Sequence, residues 1–238
     1  MSTLDVVLGF VVMAIGACLQ GAVGFGSNLI AAPLLILLDE SYVPAPIVLA
    51  SLLLNAQMIR REGQGAFDPT VKPAMVSQVP GAIGAGLVLA VLPERALSLL
   101  FAALVLVAVG VSAAGWHLRP TRRTLVGAGL AAGFMGTISG IGGPPVALVY
   151  QRSSGPALRA TLSRFFLVGG FVSLVVLGVS GQIDGDNLRA CLVTIPASVA
   201  GFAVSAPIAR RLDKGSIRPV VLGLSSLAAV AVLVRELL

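Results

Sequence analysis

The chain has 238 residues, 57% of them hydrophobic and 11% charged, with a mean hydropathy of +0.99. So few charges exclude a soluble globular domain of this length. The net charge of +6 does not point to nucleic acid, because the basic residues sit in polar breaks between apolar runs and form no basic face with a recognised module.

The apolar runs cover 5–20, 24–38, 43–59, 73–92, 97–115, 124–139, 144–150, 161–180, 188–208 and 219–236. They are continuous rather than alternating, which excludes a β-barrel and predicts an all-α polytopic transmembrane bundle. Whether 24–38 and 144–150 cross fully or form half-helices stays open. Asp5 stands where a signal peptide would carry a basic segment, and the run continues past signal length. The longest polar loop is expected at about Arg60 to Lys72. Cys18 and Cys191 fall in apolar runs and read as small packing residues.

Charge orients the runs. Asp39, Glu40, Glu94, Asp184 and Asp186 mark acidic loops, whereas Arg60, Arg61, Lys72, Arg119, Arg122, Arg123, Arg152, Arg210, Arg211, Lys214 and Arg218 mark basic ones. Placing the basic loops inside puts 60–72, 116–123, 151–160 and 209–218 on the inner side. The stretch 124–150 then begins and ends inside, and by homology within the chain 5–38 begins and ends outside. Each half becomes a glycine-broken hairpin plus three helices. The chain divides into repeats 1–118 and 119–238 of opposite orientation, an inverted-topology arrangement. At an offset of 116 residues Gly24 meets Gly140, Gly26 meets Gly142, Ala31 meets Ala147 and Pro80 meets Pro196. At 112 residues Pro44-Ala45 meets Pro156-Ala157 and Ser51 meets Ser163.

The two breaks carry the chemistry. Gly24-Phe25-Gly26-Ser27-Asn28 and Gly140-Ile141-Gly142-Gly143-Pro144-Pro145 both interrupt apolar helix. Glycine permits positive φ, and proline favours the first turn of a new helix. Each cluster therefore reads as unwound chain followed by a helix start, with Ser27 or Asn28 as N-cap of the first. Helix N-termini offer unpaired N–H groups and partial positive charge, so two of them near the midplane suit a small oxyanion. The competing explanation is close helix packing through glycine.

Gln20, Thr137 and Ser139 flank the breaks, and Asn55 and Gln78 lie within runs; such groups face a cavity or bond a neighbouring helix. Arg159 and Arg164 precede and open the run 161–180, where they flank the membrane or attract an anion at the inner mouth. Five residues apart, roughly 140° on a helix, they cannot share a face, whereas Arg159 and Ser163 can. Every acid falls at a loop or run end. A carboxylate proton relay and a hard-cation substrate are thus disfavoured. His117 beside Trp116 reads as an interfacial anchor, and with no other histidine an enzyme or metal site has little to build on.

The paired breaks, the first spanning Gly21-Ala22-Val23-Gly24-Phe25-Gly26 with Pro33 after it, resemble those of the sulfite exporter TauE/SafE family, also called the toluene sulfonate uptake permeases. The resemblance covers essentially the full chain. It implies a bacterial inner-membrane, multi-pass permease for sulfur-containing anions such as sulfite, thiosulfate or organosulfonates, without a cofactor. The candidate substrate-binding residues are Gln20, Gly24, Gly26, Ser27, Asn28, Asn55, Thr137, Ser139, Gly140, Gly142, Gly143 and Arg159. The first half has Ser27-Asn28 where the second has Gly142-Gly143 and two prolines, so the half-sites are chemically unequal. Alternating access between the halves is the expected mechanism, with an anion channel on the same scaffold as the alternative. The expected partners are the anion, the lipid bilayer and a second copy of the chain in a homodimer. Proton coupling is left open, as no proton carrier is evident.

Overall fold

The computed structural model describes residues 2–63, 67–113, 118–150 and 155–209, with Leu227, Val230, Ala231 and Val234 beyond them. Among these residues the chain is all helical. The helices are α1 (Thr3–Val23), α2 (Ser27–Leu38), α3 (Ala45–Glu62), α4 (Lys72–Val91), α5 (Glu94–Ala113), α6 (Arg122–Ser139), α7 (Gly143–Val149), α8 (Gly155–Val179), α9 (Gly185–Ala203) and α10 (Ser205–Ala209). Single 3-10 turns at Glu40–Tyr42 and Pro69–Val71 lead into α3 and α4. The run 219–236, His117, Trp116 and the loop positions around Arg152 and Arg210 to Arg218 lie outside the described residues, apart from the four positions named.

Five segments are long and apolar enough to cross a membrane: Thr3–Val23, Glu40–Glu62, Pro69–Val91, Arg95–Ala113 and Gly155–Val179. Their outward faces are stripes of exposed apolar side chains at helical spacing. Val76, Val79, Ile83 and Leu87 form one on α4, and Phe171, Val175 and Val179 another on α8. Lipid-facing surface accounts for such exposure. The chain is a multi-pass membrane protein.

Helix ends follow local chemistry. Ser2 and Asp5 form a capping box on α1, Thr121 and Thr124 one on α6, and Asp184 and Asn187 one on α9. Several boundaries differ from the hydropathy reading. Helix α3 continues through Arg60 to Glu62, which shortens the expected polar loop. Helix α8 begins at Gly155 rather than 161, so Arg159 and Arg164 lie inside its early turns. Charged side chains there find partners or reach the helix end, and the backbone stays helical where hydropathy falls.

Packing is reciprocal. Helix α4 lies along α6, α1 along α9, and α3 along α8. The α4–α6 contact is close enough that a Cβ at Gly129 would collide with the Ala74 carbonyl, one at Gly133 with the Gln78 carbonyl, and one at Gly81 with the Leu130 carbonyl. Gly129 and Gly133 form a small-xxx-small pair that lets the backbones approach. The expected alternative role of glycine, close packing, is thus realised here, away from the breaks.

Two ends of the bundle are chemically distinct. At one, Tyr42 Oη donates to the Asp5 carbonyl and Asn187 Nδ2 to the Ser41 carbonyl, gathering Asp5, Asp39, Glu40 and Asp184. At the other, Arg164 Nη2 donates to the Gly63 carbonyl, Asp68 N–H to Thr161 Oγ1, and Thr70 Oγ1 lies 3.2 Å from Tyr150 Oη. Val71, Leu125, Tyr150 and Leu158 share an apolar cluster at this basic end. The α1–α2 hairpin therefore starts and finishes at the acidic end, and α6–α7 at the basic end.

Candidate functional site

Each hairpin turns on a left-handed glycine. Gly24 (φ 108°) ends α1 with its N–H on the Gln20 carbonyl at 2.7 Å, and Gly140 (φ 71°) ends α6 with its N–H on the Gly136 carbonyl at 3.0 Å. Only glycine takes such angles without strain. The first break turns a second time at Gly26, which is itself the N-cap of α2. This corrects the expectation of a Ser27 or Asn28 cap: both are already in the helix, and the Ser27 hydroxyl is committed to Gln20 and Asn28.

Between the breaks and α3, α4, α6 and α8 lies a cavity open at one mouth. Gln20, Gly26, Asn28 and Asn55 line it from the first group of candidates, and Gly140, Gly142 and Gly143 from the second. One polar chain binds its wall together. Gln20 Oε1 accepts from the Ser27 N–H at 3.3 Å, and Gln20 Nε2 donates to Asn55 Oδ1 at 3.1 Å. Asn55 Nδ2 donates to the Ser51 carbonyl at 2.7 Å, and Ser51 Oγ to Asn28 Oδ1 at 2.9 Å. Asn28 Nδ2 reaches the other break at the Gly140 carbonyl, 2.9 Å away. A single side-chain amide thus ties the two hairpins together.

The remaining candidates stand off the cavity. Thr137 Oγ1 donates to the Gly133 carbonyl within its own helix and lies 2.8 Å from Ser173 Oγ. Ser139 Oγ donates to the Met135 carbonyl and accepts the Ile141 N–H, which shapes the α6 terminus. Gly24 faces the stem of Arg159. Arg159 gives Nε and Nη2 to the two Glu62 oxygens at 2.8 and 3.1 Å. Arg61 Nε also donates to Glu62, at 3.0 Å, while its Nη1 reaches Ser205 Oγ and its Nη2 the Gly21 carbonyl. The Glu62 side chain is only 6% exposed. This lattice joins α1, α3, α8 and α10 at the basic end, two helical turns, about 10 Å, beyond Asn55 along α3.

Among the described residues no charged side chain lines the cavity. Its donors are neutral amides, hydroxyls and backbone N–H groups. The helix-end contribution is smaller than the broken-helix pattern suggests. The Ser27 N–H is taken by Gln20, and Pro144 and Pro145 lack an N–H, which leaves Gly143 as the donor in the first three residues of α7. Phe25 and Phe166 bracket Gly143; a Cβ there would meet them at 3.9 and 3.6 Å. Gln78, Ser51 and Ser173 also line the cavity. Their polarity within apolar runs was the available signal; for Ser51 and Ser173, common in membrane helices, it was too weak to single them out.

A membrane bundle with an uncharged, largely apolar cavity that carries a few side-chain amides and hydroxyls between two broken hairpins has the form of a permease. The chain belongs to the sulfite exporter TauE/SafE family, whose model matches residues 8–232. That family places it among membrane transport proteins. No curated protein and no solved structure matches the chain.

Proposed function

We propose that the protein is a secondary transporter of small sulfur-containing anions such as sulfite, thiosulfate or organosulfonates, acting in a bacterial inner membrane and not as an enzyme. The observation that carries this is the cavity held between the two breaks and bridged by Asn28 to the Gly140 carbonyl. An oxyanion there would accept hydrogen bonds from Gly143 N–H and the wall amides, with the aromatic rings of Phe25 and Phe166 against its apolar part. Without a fixed cation, binding stays weak enough for release. Desolvation cost rises with the square of charge, so singly charged anions are favoured within that range.

The reciprocal packing of α4 on α6 and α1 on α9 supports an inverted repeat with halves 1–118 and 119–238. In such a transporter the halves rock about the site. The Arg61–Glu62–Arg159 lattice bridges the halves at the basic end and supports a closed gate there, which favours a transporter over an open channel. Proton coupling and a homodimer are carried forward as proposals without a residue assigned.

Counterflow tests this. Proteoliposomes loaded with unlabelled sulfite or methanesulfonate should accumulate labelled anion faster than empty ones, with saturation. Flux that ignores anion on the opposite side would identify a channel instead.

A further inference from the structure

We propose that Gln78 is the residue that orients the anion and determines which head groups the cavity accepts, an inference that rests on the anion-transport reading of this same cavity. Gln78 is 2% exposed and lies on α4, on the wall shared with α6 and α8. The molecule makes room for its amide at the expense of side chains around it. A Cβ at Gly169 would collide with Gln78 Oε1 and crowd its amide carbon. Gly169 is not a helix end or a turn; it sits inside α8, where the amide of Gln78 occupies the space a side chain would take.

The hydrogen bonds decide which amide is available. Asn28, Asn55 and Gln20 donate at 2.9, 2.7 and 3.1 Å to protein acceptors. Gln78 Nε2 donates only at 3.3 Å to the Phe165 carbonyl and 3.5 Å to the Met75 carbonyl. Bonds of 3.3 Å and beyond are weak, and the Phe165 carbonyl belongs to a helix that supplies its own acceptor pairing. Turning any of the first three amides toward a ligand breaks a good bond, and for Asn28 that bond is the link between the hairpins. Turning Gln78 gives up little. An anion entering the cavity therefore draws its strongest new side-chain hydrogen bond from Gln78, while the tighter amides hold the frame.

The test uses the full-length protein in nanodiscs and methanesulfonate, whose charge does not change between pH 5 and pH 8. Wild-type affinity should be flat over that range. Gln78→Met should weaken binding about 10- to 100-fold at every pH, the effect of losing one hydrogen bond to a charged group. Gln78→Glu should weaken it about 100-fold or more at pH 8 by placing like charge beside the anion, and recover as the carboxyl protonates toward pH 5. A purely structural role would not give this ligand-specific recovery, and ligand-free melting of each variant is followed over the same pH range to expose general loss of packing. Wild-type-like binding by both variants, or losses that merely track melting temperature, would overturn the role of Gln78 and leave the cavity as the anion site. Failure of the wild type to bind methanesulfonate and sulfite alike would overturn both.

Discussion

Neutralising Glu62 should open the basic end of the protein. The carboxylate is 6% exposed, holds Arg159 through two bonds and Arg61 through a third. Glu62→Gln leaves two guanidinium groups facing an amide. Removing one partner of a buried pair costs about 3–5 kcal/mol. The lower figure applies here, because Arg61 keeps the Gly21 carbonyl and Ser205 Oγ and Arg159 is 19% exposed. A penalty of about 3 kcal/mol on the closed form alone shifts its population relative to the open form by about 100-fold. Arg159→Gln should do less, since Glu62 retains Arg61, and the double variant Glu62→Gln/Arg159→Gln should fall between the single changes rather than below both. Distance distributions between spin labels at the basic ends of α3 and α8 read the populations directly. A longer distance is expected for Glu62→Gln in the absence of substrate, with flux that leaks or loses its counterflow stimulation. Unchanged distances in a well-folded Glu62→Gln protein would refute the gate.

Other perturbations separate the frame from the site. Asn28→Leu removes the donor to the part-buried Gly140 carbonyl; it should lower stability by about 1 kcal/mol, read by thermal unfolding, and reduce transport more than expression. Gly129→Val drives a side chain into the Ala74 carbonyl and should destabilise the α4–α6 contact severely, whereas Gly127→Ala meets open space and should leave melting unchanged or slightly raised. Methanesulfonate should compete for the site better than sulfate of similar size, because the lining offers no charge to offset a second negative one.

Much of this was legible in the sequence because bilayer chemistry constrains it strongly. Continuous apolar runs specify helices, and Gly24, Gly26, Gly140 and Gly142 mark the breaks where helix cannot continue unchanged. The bundle's polar side chains were visible too, but their partners were not. Arg159 is informative: its place near a membrane edge suggested an anion lure, yet the structure gives it to Glu62, a residue 97 positions away. Long-range pairing of that kind leaves no periodic trace. Thr137 and Ser139 sit beside the second break as expected, but each bonds a carbonyl four residues earlier, an option open to any serine or threonine in a helix. Gln78 carried only its polarity; the glycine that accommodates its amide, Gly169, comes from another helix.

The most direct measurement is anion binding by wild type and Gly143→Leu side by side, using calorimetry with sulfite, methanesulfonate and nitrate. Gly143 is the better probe than Gly142, since a Cβ at Gly142 would press on the Ala132 carbonyl at 2.8 Å while one at Gly143 meets only Phe166 and Phe25 at ordinary contact distance. Wild type is expected to bind the sulfur oxyanions, and Gly143→Leu, folded and with similar ligand-free melting, is expected not to. Sulfur-oxyanion binding that survives in Gly143→Leu would place the site elsewhere, and a wild type that binds none of them would contradict the proposed function.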